Sequence, residues 1–126
     1  MRRRTERGAA VVDIVLVMVV LVPVVLGIMQ VALVLFVRNT LASAASEGAR
    51  LAATRDRGPA DGVALTRSQI DGAVSGKFAQ DVSARQEGQT VEVIVHARIP
   101  ALGLGGPSIE ITVTGHAVEE PPGASP

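Results

Sequence analysis

The sequence predicts an α+β protein: a long N-terminal transmembrane helix extended beyond the membrane, then a small domain with a short helix and a two- or three-stranded antiparallel sheet. Three observations predict it. The stretch from Ile14 to Val37 holds twenty-four uncharged residues, mostly Val, Leu and Ile, and a bilayer core of about 30 Å takes roughly 20 apolar residues in a helix. Polar residues Ser43, Glu47, Arg50 and Thr54 then recur at helical spacing. Finally, two runs near the C-terminus alternate apolar and polar side chains with the period of a half-buried strand.

The first element is a basic leader, residues 1–8, in which Arg2, Arg3, Arg4 and Arg7 face only Glu6. The whole chain is neutral, and from Arg38 onward eight basic residues meet ten acidic ones. Arginines beside an apolar segment stay on the cytoplasmic side, so the expected topology is a single-pass protein, N-terminus inside and C-terminal domain outside. Within the apolar run the abundance of Val would favour a strand in water. In hydrocarbon every backbone polar group needs an internal partner, and a lone segment finds one only as a helix. Pro23 removes one donor and predicts a kink; Gly27 and Gln30 add a smooth spot and a polar interruption.

The helix is expected to continue over Asn39 to about Thr54. Ala42, Ala45, Ala49, Ala52 and Ala53 with Ser46 give it a nearly flat face of small side chains. Such a face lets another backbone come close, and the partner is either a neighbouring helix or the chain's own C-terminal domain. Arg55-Asp56-Arg57-Gly58-Pro59 supplies charge and helix breakers that end the segment. The expected division is therefore a leader at 1–8, the long helix at 9–57, a small extracytoplasmic α+β domain at 58–118 and a disordered tail at 119–126. The domain's helix is placed from about Arg67 to Gln80, with Thr66 as N-cap, Gln69 completing a capping box, and Ile70, Val74 and Phe78 along one face. Gly72 and Gly76 weaken it. Val91, Val93, Val95, Ala97 and Ile99 alternate with Glu92, Ile94, His96 and Arg98, and Ile109, Ile111, Val113, Gly115 and Ala117 alternate with Glu110, Thr112, Thr114 and His116. The link Pro100 to Pro107 is rich in Gly and Pro, so the pair is antiparallel with a long loop, and Gly103-Leu104-Gly105-Gly106 reads as turn. Val82 to Gln86 offers a third strand. The tail Glu119 to Pro126 is too poor in apolar residues to fold.

Little here points to catalysis. There is no Cys, which excludes disulfides and thiolate metal sites. His96 and His116 share the polar face and could lie close together, but a metal would need further ligands. No nucleophile elbow and no phosphate loop after a strand is found. The chain is expected to be no enzyme, without catalytic, cofactor-binding or metal residues, and without a basic patch for nucleic acid.

The junction of leader and helix carries more. A secretory signal has an apolar region of about 7 to 15 residues before a small-residue cleavage site; this one is longer, and Asp13 stands at its start. A carboxylate in mid-bilayer costs about 2.5 to 3.5 kcal/mol and less near the interface, where the positive end of the helix dipole also favours it. The stretch Arg7-Gly8-Ala9-Ala10-Val11-Val12-Asp13 resembles the processing site of type IV prepilins. That resemblance implies a prepilin peptidase cutting between Gly8 and Ala9, and an acid, here Asp13, at the fifth mature position to meet the N-terminal amine of a neighbouring subunit. Opposite charges paired at a low-dielectric site offset each other's burial cost. The family usually has Glu there followed by an aromatic, where this chain has Asp13 and Ile14.

Pro23, Gly27-Ile28, Gln30, Arg38 and the run Leu41 to Ala53 with Glu47-Gly48-Ala49-Arg50 are similar to the TadE-type pseudopilins of tight-adherence (Flp, type IVb pilus) systems. The likeness covers about Arg7 to Ala53. It implies a minor pilin or pseudopilin of a pilus assembly or secretion system, partnered by the prepilin peptidase, other pilins or pseudopilins, the inner-membrane assembly platform and the lipid bilayer. Two other readings stand beside it. One is a signal-anchored extracytoplasmic binding module not cleaved at Gly8; the other is a secreted protein cut before Ala45, after Ala42-Ser43-Ala44. Taken alone, Glu47 and Arg50 also suit an exposed ion pair one helical turn apart.

Overall fold

The computed structural model of the chain describes residues 2–74, 78–101 and 107–119. Helix α1 spans Arg2–Ala52, 51 residues, and is about 75 Å long at 1.5 Å per residue. It takes in the leader from Arg2 onward and runs through Pro23 without ending. From Val11 to Phe36 its large apolar side chains are mostly exposed, so no part of the described domain covers this half on most sides. α1 stops at Ala52, slightly earlier than the expected Thr54. The Thr54 hydroxyl donates to the Leu51 carbonyl at 2.6 Å, and Asp56 takes a positive φ of 67°, which a short Asx side chain tolerates better than most.

Helix α2 spans Pro59–Ala73, which corrects the expected Arg67–Gln80. Gly58-Pro59 reads as a break, yet proline favours the first helical position, where its missing N–H costs nothing. The Gly58 N–H donates to the Asp61 carboxylate at 2.9 Å, holding that first turn. Thr66 is therefore no cap. It lies mid-helix, fully buried, and its hydroxyl bonds the Gly62 carbonyl at 2.8 Å and reaches the Ala44 carbonyl on α1 at 3.3 Å. Ile70 and Val74 are buried as expected. Phe78 lies beyond the helix, half-buried, its carbonyl accepting from the Arg98 N–H at 2.9 Å. Gly76 falls outside the described residues.

The sheet has three strands, β1 (Ala79–Glu87), β2 (Thr90–Ile99) and β3 (Ile109–Val118), in the order β1-β2-β3 with both pairs antiparallel. The third strand offered by Val82 to Gln86 is thus real and longer. β1 and β2 join through Gly88-Gln89, where Gly88 adopts φ 61°, a conformation glycine reaches without steric cost. The alternation settles the faces: Val91, Val93, Val95, Ala97 and Ile99 are all buried, while the other face carries charge and hydroxyls. Both helices pack on the buried face, α1 over β3 and β2, α2 over β1. The Gly103 to Gly106 turn and the tail beyond Glu119 lie outside the described residues.

Each segment reverses the direction of the one before. α2 runs back along α1, with Gly62 beside Gly48 and Ala52, and Thr66 beside Ala44. Val91 at the start of β2 packs with Ala52 and Ala53. Val37, Leu41, Ala44, Ala45 and Ala49 join Ile70, Val93, Val95 and Ile99 in the main core, and Leu33 and Val34 pack against it. The small-residue face of α1 therefore belongs to the chain's own domain, the second of the two expected partners.

Candidate functional site

Two features on α1 carry the sequence-based expectations, and the structure treats them differently. At the junction, Gly8, Ala9 and Asp13 are exposed and helical. Nothing lies within 4 Å of where a Gly8 side chain would begin, and Asp13 shares its surface with exposed Leu16, Val17 and Val20. No described part of the domain touches this surface, so it is open to a peptidase, to lipid or to another helix.

The second feature, Glu47-Gly48-Ala49-Arg50, sits where α1 meets α2. Gly48 has a structural reason: a Cβ there would overlap the Thr66 hydroxyl and stand 2.7 Å from the Gly62 carbonyl oxygen. Reciprocally, a Cβ on Gly62 would stand 2.6 Å from the Gly48 carbonyl oxygen and 2.9 Å from the Ala52 Cβ. The two backbones touch because both residues lack a side chain, an approach closer than helices of ordinary residues reach. Ala49 is fully buried. Glu47 is exposed and accepts a hydrogen bond from the Gln69 amide of α2. Among the described residues Arg50 makes no ion pair, so the exposed Glu47–Arg50 bridge is not formed and Arg50 faces solvent.

A third close approach escaped the sequence. Gly115, in the middle of β3, lies against the backbone of α1: a Cβ would come within 2.5 Å of the Ala45 carbonyl oxygen and the Ser46 nitrogen. The signal was present, since a glycine inside a strand pattern often marks another backbone nearby. Its partner could be named only once β3 was docked on the helix.

The histidines do not come together. His96 pairs across the strands with Thr112, its Nδ1 3.0 Å from the hydroxyl, while His116 stands opposite Glu92 at 3.9 Å. Four strand residues separate the two sites, about 13 Å at 3.3 Å per residue. Glu92 also holds Arg85 at 2.5 Å, and the hydrogen bond and charge of this carboxylate raise the Arg85 guanidinium above its ordinary value. Among the described residues no group of three potential metal ligands is found.

The family model described as TadE-like protein matches residues 8–50. That stretch of the chain is similar to the family, and the rest lies outside the match. The matched stretch opens at Gly8 and closes at Arg50, so it covers the junction, the apolar helix and the Gly48 crossing while leaving α2 and the sheet outside. Beneath that match, α1 is long and apolar enough to cross a membrane, consistent with a single-pass membrane protein. No curated protein and no solved structure matches the chain.

Proposed function

We propose that this TadE-like chain is a minor pilin or pseudopilin of a tight-adherence pilus assembly or secretion system, cut by a prepilin peptidase between Gly8 and Ala9. The observation that carries the reading is the division of α1. Its C-terminal part, from Val37 to Ala52, is consumed by the chain's own domain, whereas the apolar part around Asp13 is left open. α1 is long and apolar enough to cross a membrane, and the basic leader orients it N-terminus in. Once the leader is removed, Ala9 carries a free amine, and the carboxylate of Asp13 in a neighbouring subunit is its natural partner in a low-dielectric setting. Subunits and the inner-membrane platform would then meet α1 below Val37. The sheet domain would stand on the outer side of the membrane.

The test is the mass of the mature protein from cells with an active prepilin peptidase. Processing predicts a chain that starts at Ala9; one that still starts at Met1 refutes it. Gly8→Ala should abolish the cut, and Asp13→Asn should leave the cut intact while lowering pilus assembly. An uncleaved anchor carrying a binding module predicts that neither substitution changes length, location or assembly.

A further inference from the structure

We propose that the end of the domain nearest the apolar half of α1 is a lipid-contact surface, seated at the headgroup and acyl boundary of the outer leaflet. The inference rests on the reading of α1 as a membrane span and adds where the domain stands relative to it.

The position follows from two counts that meet. Asp13 sets the inner edge of the hydrocarbon near Ile14, because a carboxylate costs more with each turn of burial. About 20 helical residues from there span the bilayer core, which puts its outer edge near Leu33. On the domain side, Gly115 touches Ala45 and Ser46, and β3 runs back from it toward Ile109. Six strand residues cover about 20 Å, or roughly thirteen helical residues at 1.5 Å each, which brings Ile109 down to the level of Leu33. Leu33 and Val34 do pack against the domain core. Domain and hydrocarbon edge therefore coincide.

The side chains at this end suit that depth. Ile109 is 39% exposed, and Leu35 and Phe36 are 51% and 58% exposed. Pro100 and Pro107 are exposed too, and neither has an N–H to leave unsatisfied. Arg38 is exposed just above Phe36, where a guanidinium can reach lipid phosphate while its stem lies on apolar surface. An open groove of about 620 Å³ between α1 and α2 grades from Phe36 to Asn39, Thr40, Ser43 and Gln69, apolar toward the bilayer and polar away from it. The opposite end of the domain exposes Arg55, Asp56, Arg57 and Glu87, which suits water.

Because the chain has no Cys, single-Cys variants of the full chain can each carry one fluorophore. Ile109→Cys, Gln89→Cys and Val20→Cys would be reconstituted in vesicles of phosphatidylethanolamine and phosphatidylglycerol with bromine at a shallow or a deep acyl position. The expected result is several-fold stronger quenching at Ile109 than at Gln89 by shallow bromine, and strong quenching at Val20 by deep bromine. If Val20 is quenched and Ile109 behaves like Gln89, α1 spans but the domain stands clear of the lipid, and the proposal is overturned. If Val20 is not quenched, the membrane reading fails and the proposal with it.

Discussion

Replacing Gly48 by alanine adds a methyl group at the point where α1 and α2 touch. The Gly62 carbonyl oxygen, 2.7 Å away, would have to retreat to about 3.4 Å, so the helices part by about 0.7 Å or distort, and overpacking of this kind costs about 1 to 3 kcal/mol. The Thr66 hydroxyl must also move, weakening its bonds to Gly62 and Ala44 at roughly 1 kcal/mol. Against this, alanine is about 1 kcal/mol better than glycine inside a helix. The net expectation is a loss of about 1 to 3 kcal/mol, which for a domain of this size lowers the melting midpoint by roughly 5 to 15 °C. The assay is thermal unfolding of the detergent-solubilised full chain, followed by amide exchange of Val93 and Val95 in β2. Gly72→Ala is the control, since that glycine is exposed on α2 with nothing within 4 Å, and it should hold or raise the midpoint. Adding Thr66→Ala to Gly48→Ala should recover part of the loss, a coupling that independent sites do not show. A Gly48→Ala chain as stable as the parent, or strictly additive effects with Thr66→Ala, would refute the crossing as the reason for this glycine.

Gly115→Ala should destabilise by about 2 to 3 kcal/mol in the same assay, because the atoms it meets, the Ala45 carbonyl and the Ser46 nitrogen, are helix backbone and cannot rotate away. Glu92→Gln should leave the midpoint within about 2 °C, since the arginine of the pair is well exposed to solvent and such pairs contribute little. Because Glu92 raises the Arg85 guanidinium above its ordinary value, the pair's contribution through that residue is present across the neutral and moderately alkaline range and is lost only as pH rises through the arginine's own titration. A stability profile that changed between neutral pH and pH 10 because of Arg85 would contradict this.

Much of the fold was legible because the patterns were local. The strands announce themselves by alternation, and the register confirms which face each side chain takes, from Val91 to Ile99. The start of α2 was missed for a local reason: Gly58-Pro59 both ends one helix and begins the next, and only the Asp61 carboxylate reaching back to Gly58 distinguishes the second role. Thr66 looked like a cap because threonine prefers caps to helix interiors. Buried mid-helix, it bonds its own turn and reaches across to α1. In the Glu47 to Arg50 signature, the sequence suggested a charge pair at the outer positions; the fold shows that the inner two are consumed in packing and that Glu47 turns to Gln69.

What the sequence by itself determined are properties that each residue carries with it: the uncharged run that makes α1 apolar, the arginines ahead of it, the spacing from Gly8 to Asp13, and the period of the strands. The partner of the alanine and glycine stripe was a different kind of question. A flat small-residue face is equally suited to a helix of another subunit or to the chain's own sheet, and no local pattern separates the two. Only the docking of Gly62 on Gly48 and of Gly115 on Ala45 decided it, because contacts between residues far apart in sequence depend on how whole elements are laid against one another.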